Sequence, residues 1–219
     1  MAVVKKKTAV LISGRGSNMR ALIEAAHAPD YPAEIVRVIS NRPDAGGLAY
    51  AAEGGIATDI VDHKAFLGRD KFEAELDRRL RAAEVELICL AGFMRLLTGR
   101  FVDAWTDRLI NIHPSLLPAF PGLDTHARAL AAGVRFTGCT VHFVRTEMDA
   151  GPIIVQAAVP VLPGDDEDRL AARVLEAEHS AYPLALSLVA GGRTSVRGNS
   201  VVIDGMTAPA GFLLNPAGI

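Results

Sequence analysis

The chain is poor in cysteine, in long apolar runs and in excess charge, and each shortage closes off a class of protein. Its two cysteines, Cys89 and Cys139, each sit inside an apolar run, which argues against a disulfide framework and for a reducing compartment, most simply the cytosol. No stretch reaches the roughly 18 apolar residues of a membrane-spanning helix. Three lysines precede an apolar run at the start, but that run ends at Ser13 in a glycine turn, too soon for a secretory signal. No membrane segment is expected. A formal net charge of -2 lacks the basic excess that draws nucleic acid, so no nucleic-acid partner is expected either. HExxH and paired CxxC motifs are missing and the six histidines are scattered, so no catalytic metal is expected. Internal repeats and low-complexity segments are absent.

What is present points to one enclosed core. Half of the 219 residues are hydrophobic, enough for a single domain and short for two. Short β-rich apolar runs at 7–13, 34–40, 57–61, 86–91, 109–113, 139–145 and 153–161 alternate with helical patterns at 17–28, 46–54, 69–83, 98–106, 125–132 and 166–190. That alternation predicts an α/β fold: a single Rossmann-like domain whose mostly parallel sheet is flanked by helices. Ser17, Asp124 and Asp165 are the expected helix caps. After about residue 191 repeated Gly and Pro suggest a short C-terminal hairpin and tail. The expected division is residues 1–195 as the main domain and 196–219 as an appendage packed on it or trailing from it.

Three places can carry chemistry. Ser13-Gly14-Arg15-Gly16-Ser17-Asn18 is a glycine turn between the first strand and the first helix. Free N–H groups at a helix start suit a phosphate, although the run lacks the full dinucleotide and P-loop patterns, and a tight turn that binds nothing is the plain alternative. In Asn111-Ile112-His113-Pro114 the strand period of two puts Asn111 and His113 on one face, with Pro114 ending the ladder. An amide donor beside an imidazole at that sheet edge suits an oxyanion and a proton, hence acyl transfer; a buried histidine satisfied by backbone is the alternative. Asp149, in the turn Met148-Asp149-Ala150-Gly151-Pro152, would lie in the same region, and a carboxylate beside an imidazole favours its charged form. Turns also carry Asp for backbone reasons alone.

Six fragments stand in a familiar order: LISGRGSN near the start, LAGFMRLL at 90–97, NIHPSLLPAFPGLDTH at 111–126, GCTVHFV at 138–144, MDAGPII at 148–154 and EHSAYP at 178–183. Through them the chain resembles the phosphoribosylglycinamide formyltransferase family, folate-dependent enzymes of purine synthesis, over nearly its whole length. The resemblance implies that 10-formyltetrahydrofolate is the co-substrate and the amine of 5'-phosphoribosylglycinamide the acceptor. It assigns Gly16, Ser17 and Asn18 to the substrate phosphate and Glu178 to the glycinamide part. Arg69, Met94, Arg95, Leu96, Leu97 and Asn111 match folate-contacting positions, and Asn111, His113 and Asp149 match the catalytic trio. Direct attack of the amine on the formyl carbon would then be aided by Asn111 and protonated His113 at the oxyanion, with Asp149 holding His113 charged. Arg15 and Ala150 vary around the motifs without touching these positions. A cytoplasmic monomer or homodimer acting on small molecules is expected.

Three rivals have different architectures or chemistry. A formyltetrahydrofolate deformylase looks similar around the catalytic trio but is expected to carry an added N-terminal domain, for which a first strand at residue 7 leaves no room. A methionyl-tRNA formyltransferase would add a C-terminal domain and a basic surface. A non-catalytic sensor of a phosphorylated metabolite would need the glycine loop alone and would have no use for the trio.

Overall fold

The computed structural model describes residues 4–207, Gly211 and 213–216; the parts of the expected tail at 208–210, 212 and 217–219 lie outside the described residues. Strand β1 (Lys6–Ile12) shows why the sheet forms: Ala9 and Leu11 enter one hydrophobic cluster while Val10 and Ile12 enter another on the opposite face. A strand buried on both faces reads as a continuous apolar run, and helices must cover both sides. On one side lie α1 (Ser17–Ala26), α2 (Gly47–Glu53), α5 (Thr125–Ala131) and the long α6 (Glu167–Ala190). On the other, α3 (Arg69–Ala82) and α4 (Gly99–Ala104) supply Phe72, Leu76, Leu80 and Phe101, with Trp105 following α4.

The seven-stranded sheet runs β3-β2-β1-β4-β5-β6-β7, where β2 is Ala33–Ser40, β3 Ala57–Ile60, β4 Leu87–Leu90, β5 Leu109–His113, β6 Phe136–Phe143 and β7 Ile153–Pro160. From β3 to β5 all pairings are parallel; β6 runs antiparallel to β5, and β7 antiparallel to β6. The expected mostly parallel sheet is therefore present, with an antiparallel edge. Strand order reverses between β1 and β4, and in open α/β sheets ligands bind outside the strand C-termini at such a switch point. A hairpin of β8 (Thr194–Arg197) and β9 (Ser200–Ile203) follows α6.

Two of the expected caps are displaced by one residue. Gly16, not Ser17, is the N-cap of α1, because the chain turns there through a left-handed conformation at φ 73°, which glycine adopts without strain. Asp166, not Asp165, caps α6 by accepting from Arg169 N at 2.8 Å. Asp165 instead accepts from Leu162 N and pairs with Arg173 at 2.8 Å, and these contacts hold its carboxyl low, at about 2. Asp124 does precede α5, but without a side-chain cap bond. Among the described residues no helix is long and apolar enough to cross a membrane.

Candidate active site

Two clefts open side by side at the C-terminal sheet edge. The smaller is lined by Ser13, Gly14, Arg15, Gly16, Ser17, Asn18 and Arg42, with Ala91, Gly92 and Met94 from the segment after β4. Since no side chain caps α1 and its first turn holds no acidic residue, its leading N–H groups stay open to an anion. Added bulk at Gly16 would meet Met19 at 3.1 Å and Gly47 at 3.2 Å, so the turn is both strained for other residues and tightly packed. Asn18 Nδ2 donates to Glu178 at 2.7 Å. Burial pushes the Glu178 carboxyl above its usual range and the Asn18 bond opposes this. The remaining polar atom, Asn18 Oδ1, is buried without a partner among the described residues. A buried acceptor left open costs free energy until a donor meets it, and this side chain lines the cleft.

The larger cleft, of about 640 Å³, lies beyond β4 and β5 and takes in Met94, Arg95, Leu96, Leu97, Asn111, His113, His142 and Asp149. Asn111 and His113 share a face of β5, as period two requires, and Asp149 folds back from the turn before β7. His113 Nδ1 is 3.4 Å from Asp149 Oδ2, and His113 Nε2 is 2.9 Å from the Phe120 carbonyl. The Phe120 carbonyl only accepts, so Nε2 donates to it, while the Asp149 carboxylate faces Nδ1 at ion-pair distance. Asp149 Oδ2 also accepts from Gly122 N at 2.8 Å, which ties the loop after β5 to the loop before β7.

Across the antiparallel pair, Asn111 lies directly opposite His142. The His142 Nδ1 faces the Phe143 carbonyl at 3.0 Å and must donate, leaving Nε2 to accept from Asn111 Nδ2 at 3.4 Å. Burial lowers the His142 pKa, partly offset by the Phe143 carbonyl and Asp149, which keeps this ring neutral and able to accept. One amide proton of Asn111 is thus directed to His142 while the other remains for the cleft. Gly151 packs so closely that an added Cβ would lie 1.7 Å from the Phe143 oxygen, which explains glycine in the turn. A neutral acceptor orienting an amide, next to an imidazole paired with a carboxylate, is an arrangement for holding negative charge on oxygen and moving a proton.

Residues 6–186 match the profile of the formyl transferase family. The chain belongs to the formyl transferase family. It is 45% identical over 200 residues to phosphoribosylglycinamide formyltransferase of Escherichia coli strain K12, covering 91% of this chain and 94% of that protein. Its fold is similar to the crystal structure of glycinamide ribonucleotide transformylase 1 from Symbiobacterium toebii, with a TM-score of 0.89 at 47% identity over 91% of this chain and 94% of the other. It is 54% identical over 190 residues to the trifunctional purine biosynthetic protein adenosine-3 of Drosophila melanogaster; that match takes in 86% of this chain but only 14% of that longer protein.

Within this formyl transferase chain, the structure gathers most of the residues singled out from the sequence. Gly16, Ser17 and Asn18 line one cleft, with Glu178 bonded to Asn18, and Met94, Arg95, Leu96, Leu97, Asn111, His113 and Asp149 line the other. Arg69 is not brought to either lining; it is exposed at the start of α3. His142 stands within GCTVHFV, two residues after Thr140 and one before Phe143, with no spacing that marks it; only the cross-strand register opposite Asn111 gives it a role. Arg42 in the smaller cleft belongs to no motif, and His126 in the larger ends the fragment NIHPSLLPAFPGLDTH without a spacing that singles it out. Among the described residues no group of three or more His, Cys, Asp or Glu is arranged to hold a metal ion.

Proposed function

We propose that this chain transfers the formyl group of 10-formyltetrahydrofolate to the amine of 5'-phosphoribosylglycinamide, the smaller cleft taking the phosphorylated amine and the larger the folate. The observation that carries this reading is the convergence of Asn111, His113 and Asp149 beside an anion-suited loop, with Gly92 and Met94 lining both clefts. A flat pterin fits the larger cleft because Phe93, Leu97, Val102 and Val144 contribute apolar wall, with Arg95 and Leu96 also in the lining. Arg69 would serve a carboxylate tail that extends outside the lining. Open N–H groups at Gly16, Ser17 and Asn18 would hold the phosphate, and the Asn18–Glu178 pair would meet the ribose and glycinamide part.

In the reaction the amine attacks the formyl carbon and negative charge gathers on the formyl oxygen. The free amide proton of Asn111 answers that charge, and His113 Nε2–H joins it by exchanging the Phe120 carbonyl for the developing oxyanion. Asp149 stands as counter-charge to His113 and as the route by which the amine's proton leaves, through water. Collapse of the adduct breaks the bond between the formyl carbon and the folate nitrogen, which takes up a proton and leaves as tetrahydrofolate; no covalent bond to the protein is needed. The reading includes small-molecule partners only, a cytoplasmic setting, a monomer or homodimer, and residues 196–219 as an appendage to a formyltransferase domain of 1–195.

The test is a steady-state assay with formyl folate and glycinamide ribonucleotide, against a control without the ribonucleotide. Transfer that requires the ribonucleotide is the expected result. Folate turnover in the control would move the assignment to a deformylase, and no turnover at all would favour a binding module.

A further inference from the structure

At the edge of the smaller cleft stands a buried hydroxyl whose hydrogen bonds go to protein groups. Ser13 closes β1 and is only 6% exposed. Its Oγ accepts from the backbone N–H of Met94 at 2.8 Å and lies 2.5 Å from Asn41 Oδ1. An amide N–H can only donate, so the hydroxyl accepts from Met94 and its single proton goes to Asn41. Both directions are therefore fixed. The Ser13 backbone adds a second tie, its N–H donating to the Gly92 carbonyl at 3.1 Å. Asn41 follows β2 and donates its own N–H to the Ile12 carbonyl at 3.4 Å, so the C-terminal ends of three neighbouring strands meet at one oxygen.

The segment so held is the partition between the clefts. Gly92 and Met94 line both, whereas Arg95, Leu96 and Leu97 line only the larger. Phe93 anchors the segment from one side by burying its ring in the core. Met94 cannot anchor it from the other by packing, because the residue is 68% exposed. The hydrogen bond that Met94 N–H donates to Ser13 Oγ ties the backbone to β1 there.

We propose that Ser13 is a positioning residue that sets the distance between the phosphate loop and the folate-facing segment, and so the approach of the attacking amine to the formyl carbon. This rests on the assignment of the two clefts made above. Apart from Gly92 and Met94 the two linings are separate, and the Ser13 hydroxyl is taken up by Met94 and Asn41, so each ligand should still bind when it is lost; what fails is their relative placement. Small misplacements of reacting groups cost rate far more than binding.

Wild-type transfer is measured first, then Ser13→Ala and Ser13→Thr, with tetrahydrofolate and glycinamide ribonucleotide each titrated separately by calorimetry. The expected result is a kcat lower by about 10- to 100-fold in Ser13→Ala, with both dissociation constants within about threefold of wild type and most of the rate restored in Ser13→Thr, which keeps the hydroxyl. Ser13→Cys, with the same shape and a weaker bond, reads the same step if the alanine variant does not accumulate. Equal kcat in Ser13→Ala and wild type would overturn the inference. So would affinities for both ligands that fall together with the melting temperature, the mark of simple loosening. A wild-type protein without ribonucleotide-dependent transfer would overturn the proposed function along with it.

Discussion

The two clefts share a sheet edge and a partition but are made of different material. The smaller is mainly backbone: a glycine turn, the open N–H groups of α1 and one buried amide. The larger draws its chemistry from side chains on β5, on β6 and on the turn before β7, each oriented by another. Backbone donors are fixed by the fold, so single substitutions there should alter affinity by modest factors. Side-chain donors that meet charge only as it develops should alter rate, and by much more.

The sharpest break in that comparison comes from the larger cleft. Asn111→Ala and His113→Ala are each expected to lower kcat by about 100- to 1000-fold, the usual cost of one oxyanion donor. KM for the ribonucleotide should change far less. A comparable loss of KM in place of kcat would make these residues ground-state contacts, and the contrast between the clefts would collapse.

Asp149→Asn should come next, with kcat lower by about 100-fold. The amide can still accept from Gly122 N, which Asp149 Oδ2 does now at 2.8 Å, so the loop tie survives while the counter-charge to His113 is lost. The loss should fall on kcat, with KM for the ribonucleotide changed far less. An unchanged kcat would separate Asp149 from His113 and leave it a loop anchor.

How far each cleft was legible follows the same division. The smaller is written in one contiguous stretch, and LISGRGSN displays strand, turn and helix in order. Even so the cap was misplaced, because Ser17 is the better capping residue by chemistry and the left-handed turn at Gly16 decides otherwise. In the larger cleft Asn111 and His113 were readable from period two alone. Asp149 was readable as a turn residue, but its distance to His113 depends on how the chain folds back. His142 was not readable, since its partner is set by antiparallel register between strands separated by a loop and a helix. The alternation of runs gave the sheet and its helices; it did not carry the direction of β6, which depends on a connection that returns beside β5 without a full crossover.

In the smaller cleft Gly16→Ala sharpens the comparison at lower amplitude. Alanine at φ 73° costs about 1 to 2 kcal/mol, and its Cβ would press on Met19 and Gly47. KM for the ribonucleotide should rise by about tenfold, with kcat within about threefold of wild type. A collapse of kcat with KM unchanged would show that this loop also sets the reacting geometry, which the reading reserves for Ser13 and the side chains.

The smallest effect concerns stability and tests whether His142 is neutral. Its pKa is lowered by burial in the folded chain, while the unfolded chain keeps the ordinary value near about 6.5. Below that value the unfolded chain binds a proton that the folded one refuses, so stability declines as pH falls through this range. His126 is lowered for the same reason and adds in the same direction. His142→Asn removes one of the two contributions, and its melting temperature should fall less than that of wild type between pH 8 and pH 5. Asparagine also offers its side-chain oxygen to Asn111, so rate loss in this variant should be milder than in Asn111→Ala. If wild type and variant lose stability in parallel, His142 titrates alike in the folded and unfolded chain, and burial does not hold the ring neutral as the acceptor for Asn111.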